Sequence, residues 1–183
     1  YVLPPNIERE INVGSANQNQ LNEQSVAVSL CELPDGQSRA IYRNFDLDIL
    51  NYNKIRLFVH AASQIDRPQV NDSDLTAFIR LGSDFTDNYY EYEIPLHITP
   101  EAPEGGYNNN SVEQRYIVWP SENEVVIDLS TIANLKVLRN REAVSNGESV
   151  NAQIPYESSD GKATIRVVGN PSLNEVKNHY DGG

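Results

Sequence analysis

Hydrophobic and polar residues alternate in three consecutive stretches near the middle of the chain. These stretches are residues 54–60, 76–82 and 89–96, where every second side chain is apolar or a tyrosine. A period of two residues predicts β-strands with one buried face. Because short polar segments join the stretches, the pattern predicts an antiparallel sheet over a single core.

Five further stretches carry shorter or weaker strand patterns. They are residues 24–31, 40–49, 112–119, 124–129 and 163–168. The second of these is predicted as a strand or an extended segment, and the others as strands. The sequence Pro34-Asp35-Gly36 predicts a turn between the first two.

The sequence predicts only short pieces of helix. Residues 128–134 are predicted to form one helical turn, capped by Asp128 or Ser130. Residues 135–139 are predicted as a short strand or as the end of that turn.

Turn signals divide the last third of the chain. The Asn-Gly pair at 146–147 and the Asp-Gly pair at 160–161 predict turns. Asn170 followed by Pro171 predicts the cap and first position of another helix.

The number and spacing of these stretches predict an all-β protein, an antiparallel β-sandwich with long polar loops. Residues 1–183 are expected to form one domain, with residues 1–23 as an extended lead-in and residues 174–183 as a loose tail. Because the chain begins at Tyr1 and contains no Met, we expect it to have been cut from a much longer polypeptide.

The net charge of the chain narrows the choice of partners. A net charge of −12 without a cluster of Lys and Arg argues against nucleic acid and against anionic membrane surfaces. No window approaches the roughly 18 consecutive apolar residues of a spanning helix, so this piece is expected to be soluble.

The single Cys31 is predicted to be a partly buried structural thiol, because no His or other base adjoins it.

The sequence lacks the common catalytic motifs. It has no phosphate-binding Gly loop, no nucleophile elbow and no His-Glu-x-x-His pattern. Among the three widely separated histidines, His60 is predicted to be a hydrogen-bonded structural residue, and His97 and His179 are predicted to be solvated.

Two acidic groups have competing interpretations. Asp84 and Asp87, in the segment between two predicted strands, offer oxygens to Ca²⁺, although turn capping by Asp and Asn side chains explains them more simply. Asp46 and Asp48 share a predicted strand face. Each resembles a glycosidase carboxylate, but neither has a visible partner across a cleft, and an acidic solvated edge is the default interpretation.

The aromatic residues suggest a carbohydrate-binding alternative. Tyr89, Tyr107, Tyr116 and Trp119 are candidates for a platform that stacks on sugar rings. Tyrosine also fills half-buried strand positions, which is the structural explanation for the same residues.

Seven segments, in order along the chain, together resemble a known family. The most specific is Thr86-Asp-Asn-Tyr-Tyr-Glu-Tyr-Glu-Ile-Pro-Leu96, and the others are residues 1–10, 22–25, 44–47, 56–61, 77–84 and 168–173. They are similar to the SprA/Sov family, the outer-membrane translocons of the type IX secretion system, which serve protein export and gliding motility.

The resemblance implies a soluble domain inserted in a giant membrane barrel, with a jelly-roll or galactose-binding-like fold. It implies no enzymatic activity and no catalytic, cofactor or metal residue. The implied partners are other translocon subunits or secreted cargo proteins, on the cell-surface or periplasmic side of the outer membrane. The polar residues 176–183 depart from the closing strand that the family leads us to expect.

Overall fold

The computed structural model describes residues 2–8, 25–44, 49–64, 67, 69–150 and 154–173. These residues contain six β-strands, two α-helices and short 3-10 helices at Ile49–Asn51 and Ser121–Asn123. The main elements are β1 (Lys54–Phe58), β2 (Thr76–Gly82), β3 (Tyr89–Pro95), α1 (Val112–Val118), β4 (Glu124–Asp128), α2 (Leu129–Asn146), β5 (Tyr156–Ser159) and β6 (Thr164–Val168).

The strands form two antiparallel sheets. A four-stranded sheet has the order β2-β3-β6-β5, and a two-stranded sheet pairs β1 with β4. In the larger sheet Tyr92 of β3 lies between Ile79 of β2 and Ile165 of β6. The strand β3 is therefore central, and most of its residues are buried.

One hydrophobic core joins both sheets and the long helix. Ile94 of β3, Ile127 of β4 and Ile132 of α2 are almost completely buried and belong to the same cluster. Burying one such side chain is worth about 1.5–3 kcal/mol. The helix therefore contributes buried apolar side chains to the core, as the strands do.

The antiparallel, strand-rich prediction is confirmed. The stretches predicted at 54–60, 76–82, 89–96, 124–129 and 163–168 correspond to β1, β2, β3, β4 and β6. The finer sandwich arrangement stays a prediction.

The strand predicted at residues 24–31 is wrong for its described part, residues 25–31. These residues pair with no strand in the described part of the chain, and Val26 and Val28 are 76% and 57% exposed. Cys31 is exposed as well, so the prediction of a partly buried thiol is also wrong. Residues 40–44 carry no strand, and residues 45–48 lie outside the described part. The turn between the two stretches is confirmed, since Gln37 N donates to Pro34 O at 3.0 Å.

The strand predicted at 112–119 is wrong, because these residues form α1. Ser111 caps the helix, and its hydroxyl accepts a hydrogen bond from the backbone N–H of Gln114 at 3.3 Å. The Ser-x-x-Gln sequence is the signature of a capping box, of which only the Ser111 half forms, because Gln114 Oε1 accepts from Asn108 N instead of from Ser111 N.

The single helical turn predicted at 128–134 is the start of the 18-residue helix α2. Capping by Asp128 is confirmed, since its carboxylate accepts from the N–H groups of Ser130 and Thr131. Residues 135–139 lie inside the helix, so the alternative of a short strand there is wrong. The Asn-Gly turn at 146–147 is the helix end, where Gly147 adopts a left-handed conformation.

The predictions for the two chain ends fall partly outside the described residues. At the start, Pro5 and Asn6 form a turn in which Ile7 N donates to Pro4 O at 3.3 Å, so residues 2–8 are not uniformly extended. Near the end, residues 169–173 contain no helix, and the helix start predicted at Pro171 is therefore wrong. The tail predicted at 174–183 lies outside the described part.

Two glycines allow the β2–β3 loop to pass close to the backbone. A Cβ atom on Gly82 would lie 2.2 Å from Asn88 O, and one on Gly169 would lie 1.9 Å from Asp87 O. Gly169 also has a φ of +61°, in the left-handed region that favours glycine. The loop is thus held between the end of β2 and the residue that follows β6.

We predict that Gly169→Ala lowers the free energy of unfolding by about 2–5 kcal/mol. Alanine disfavours the left-handed conformation, and its Cβ would clash with the β2–β3 loop. Gly36→Ala is the matched control, since Gly36 has a φ of +72° and open space around it. The control should cost only about 1–2 kcal/mol in urea unfolding. Equal losses for the two variants would contradict the close approach.

Candidate functional site

The acidic cluster of the β2–β3 loop is organised around one carboxylate. Asp84 Oδ1 accepts hydrogen bonds from the backbone N–H groups of Thr86, Asp87 and Asn88 at 3.1, 2.6 and 2.8 Å, and Oδ2 accepts from Asn88 Nδ2 at 2.8 Å. Burial acts to raise the pKa of Asp84, but these hydrogen bonds outweigh it and the pKa lies below its ordinary value. The geometry supports the turn-capping interpretation over an ion ligand.

Four charged residues of alternating sign form one row across the outer face of the four-stranded sheet. We call this set the charge row: Arg80 on β2, Glu91 on β3, Arg166 on β6 and Glu157 on β5. Glu91 accepts from Arg80 Nε at 2.6 Å and from Arg166 Nη1 at 2.7 Å, and Arg166 Nε donates to Glu157 at 2.5 Å. Opposite charges at directly paired positions stabilise neighbouring antiparallel strands.

Glu91 is the buried centre of the charge row. It is only 5% exposed, and a buried carboxylate is tolerated when it is paired and hydrogen-bonded. The guanidinium of Arg80 also lies 4.2 Å from the ring centre of Tyr89 and 5.1 Å from that of Phe78. These rings and arginines cover Glu91, so the charge row is a self-neutralised surface with its acid groups already bound.

The histidines have separate structural contacts. The His60 ring lies 5.5 Å from Trp119, and burial lowers the pKa of His60. We expected His60 to be hydrogen-bonded, but no hydrogen bond to His60 occurs within the described ranges. Its ring contacts Trp119 instead. His97, expected to be solvated, is half-buried with Nδ1 3.1 Å from Asp72 Oδ2. His179 lies outside the described residues, as do Asp46 and Asp48.

The buried amide of Asn123 joins the two sheets. Asn123 Oδ1 accepts from His97 N, and Asn123 Nδ2 donates to His97 O, both at 2.8 Å. Asn123 is fully buried, so both its polar groups need these partners. The segment after β3 is thereby fixed to the start of β4.

The aromatic residues proposed as a sugar platform have different roles. Tyr89 is buried under Arg80, and the Tyr107 hydroxyl donates to Pro100 O at 2.9 Å. The Trp119 indole N–H donates to Val2 O at 2.9 Å, while Tyr116 is exposed. Within the described part of the chain, no ring contact joins any two of the four.

The start of the chain is held by side chains of the α1 region. Leu3, Pro4 and Pro5, which we call the anchor, are buried. Besides the Trp119 bond, Asn109 Oδ1 accepts from Leu3 N at 2.7 Å and Arg115 Nη2 donates to Ile7 O at 3.2 Å. We call the surface formed by Asn109, Arg115 and Trp119 the anchor groove.

Clefts of about 390 and 450 Å³ open on the described part of the chain. The one of about 390 Å³ is lined by Pro95, His97, Ser121, Glu122, Gly161 and Lys162. Lys162 Nζ donates to Ser121 O at 2.8 Å and to Glu124 O, so this cation holds the hairpin against β4. Over the ranges that the structure describes, no three His, Cys, Asp or Glu side chains are grouped so that they could hold a metal ion.

Sequence reasoning found three members of the charge row only as polar faces of strands, and it missed the fourth, Glu157, because β5 was not predicted. Arg80, Glu91 and Arg166 all lie at outward positions of correctly predicted strands. The missing information was the pairing register, since β6 follows β3 in space but not along the chain.

The comparison with protein families gives one match. The family model SprA_N, described as motility related/secretion protein, matches residues 1–182. No curated protein matches the chain. In the described part of the chain, neither helix has the length and apolar content needed to cross a membrane.

We predict that Glu91→Gln lowers the free energy of unfolding by about 1.5–3 kcal/mol, the usual worth of hydrogen bonds to charged groups. Glu124→Gln is the matched control, because it breaks the more exposed pair with Arg56 and should cost at most about 1 kcal/mol. Chemical denaturation measures both. A larger loss for the control would contradict a central role for the charge row.

The lowered pKa of Asp84 predicts a stability loss in acid. The folded loop favours the carboxylate, so this contribution is complete above the ordinary pKa of 3.8 and is lost as the pH falls through the lower folded value. Denaturation at pH 6 and pH 3 should therefore show a smaller pH dependence for Asp84→Asn than for the parent. Thr86→Ala keeps every backbone donor and should retain the parent profile, and an unchanged profile for Asp84→Asn would refute the assignment.

Proposed function

This chain belongs to the SprA_N family of motility-related and secretion proteins, and we propose that it is a non-catalytic docking and scaffold module of an outer-membrane protein-export translocon. The translocon would be that of the type IX secretion system, which also serves gliding motility. The observation that carries the proposal is the family match, because it spans residues 1–182 rather than one motif.

Exposed apolar side chains support a docking role. In the described segment before β1, Val26 and Val28 point into solvent from residues that no strand pairs, and Ile41 is 67% exposed. Large exposed apolar patches mark interaction surfaces. Residues 25–31 carry no charge. An apolar partner surface that binds there therefore buries no charged group and avoids the desolvation cost of one.

The chemistry of the polar clusters supports a role without catalysis. The carboxylate of Glu91 is bound by two arginines, and that of Asp84 by four N–H groups. A general acid or base has to keep a lone pair or proton free for its substrate. These groups instead act as structural ties.

The proposed place of the module is the cell envelope, on the surface or periplasmic side of the outer membrane, as one insertion in a larger chain. Its partners would be other translocon subunits or secreted cargo. A net charge of −12 favours this setting, because like-charge repulsion limits unspecific adhesion of acidic cargo. The shared core between the two sheets is compatible with a jelly-roll or galactose-binding-like sandwich, which belongs to the same proposal.

The proposal predicts that the parent chain, produced in its native cells, co-purifies with outer-membrane export components from solubilised envelopes. Val26→Asp with Val28→Asp should reduce this recovery at least fivefold and lower export of secreted proteins into the medium, because charges replace the apolar contacts. Quantitative mass spectrometry of the captured proteins is the measurement.

The matched control is Ser25→Asp with Ala27→Asp, which adds the same charge to the exposed positions on either side of Val26. It should recover the export components within twofold of the parent. If the parent captures no envelope component, or if export proceeds normally when the chain is deleted, the proposed function is wrong.

A further inference from the structure

We propose that the anchor groove is a peptide-docking site which the chain's own anchor keeps closed, and that a partner's extended segment of the form apolar-Pro-Pro-x-acidic displaces the anchor. The groove consists of Asn109, Arg115 and Trp119, as defined above. The inference goes beyond the export role and stands separately from it, because it rests on a different surface.

The hydrogen bonds of the groove are made to main-chain atoms of the anchor segment. The indole N–H of Trp119 donates to Val2 O, the Asn109 amide oxygen accepts from Leu3 N, and Arg115 donates to Ile7 O. Any segment with the same backbone course offers the same three groups. An aromatic groove that receives a proline-containing extended segment is a recurring mode of peptide recognition.

The anchor is short, which makes it replaceable. Leu3, Pro4 and Pro5 are buried, whereas Asn6 is exposed with a φ of +61°. The chain therefore turns directly after the second proline, and Ile7 O then contacts Arg115. Proline restricts the free chain, so a displacing segment with the same two prolines loses little conformational entropy on binding.

The side chain of Arg115 shows which hydrogen-bond acceptor the anchor does not supply. Its Nε atom is buried and makes no hydrogen bond, and its bond to Ile7 O is long at 3.2 Å. The neutral carbonyl at this position leaves the guanidinium incompletely bound within the described part of the chain. A carboxylate in the place of the Ile7 side chain would accept from Nε and Nη2 together, since arginine binds carboxylates in this forked geometry. The partner segment should therefore carry Asp or Glu two residues after its second proline.

The tether explains why the groove is closed in the isolated protein. An attached segment competes at an effective concentration in the millimolar range, so a free peptide of equal intrinsic affinity loses. A partner opens the groove through the added Arg115–carboxylate bond.

Trp119 is the single tryptophan of the chain, so all tryptophan fluorescence comes from a residue of the groove. We expect the full chain with Leu3→Ser and Pro4→Ser to bind the peptide Val-Leu-Pro-Pro-Asn-Ile-Glu with a saturable fluorescence change. The parent should bind it at least tenfold more weakly. A peptide with Glu in place of the Ile should bind the released chain at least tenfold more tightly than the original.

Two further variants test the site itself. Asn109→Ala in the released chain should abolish the response, whereas Glu8→Gln in the otherwise unaltered chain, at an exposed position of the same segment, should behave as the parent. Far-UV circular dichroism establishes that each variant is folded. If the released chain does not fold, the parent is titrated while its single indole N–H resonance is followed by NMR.

The proposal is overturned if neither peptide gives a saturable change in the folded released chain, or in the parent at millimolar peptide. Equal affinity for the two peptides would overturn the assignment of an acidic partner segment. Dimers of the parent that the peptide dissociates would assign the groove to a second copy of this chain, which also overturns the proposed partner. None of these readouts depends on protein export, so this proposal and the export role fail independently.

Discussion

The fold depends on a strand that is buried on both of its faces. One face of β3 enters the core with Tyr90, Tyr92 and Ile94, and the other carries Glu91. A carboxylate is tolerated at that position because Arg80 and Arg166 approach it from the strands on either side. The ion pairs therefore select the neighbours of β3, since moving either strand by one residue would separate the charges and turn apolar side chains outward.

The second constraint is the joint between the two sheets. The fully buried Asn123 bonds both main-chain groups of His97, and Lys162 connects the β5–β6 hairpin to the carbonyl that begins β4. The Tyr92 hydroxyl donates to Asp160 in the same hairpin at 2.8 Å. Burial of Tyr92 and, to a smaller extent, this hydrogen bond raise the pKa of Tyr92. Polar side chains thus fix how the sheets meet, while the shared apolar core supplies the gain from burial.

The sequence predicted those elements whose signal is local. Alternation located β2 and β3 closely, because each strand has one apolar face. Only the first turn of α2 was predicted as helix, through the cap at Asp128, and the Asn-Gly pair at 146–147 was predicted as a turn. The rest of the helix was missed because it also exposes Val137, Leu138 and Val144 and so lacks a single apolar stripe. The Ser111-x-x-Gln114 signature could have revealed α1. The charge row and the anchor groove could not have been found in this way, since both join residues far apart along the chain.

The order of the strands has a consequence for when the protein folds. Tyr89 of β3 pairs with Val168 of β6, whereas β2 and β3 are joined by a short loop. The β2–β3 hairpin can form as soon as both strands have been synthesised, but β3 acquires its second neighbour only after residue 168 has left the ribosome. Contacts of such long sequence separation slow folding. A nascent chain therefore carries β3 with one open edge until β6 has been synthesised, and this is the interval in which a chaperone would have to protect it.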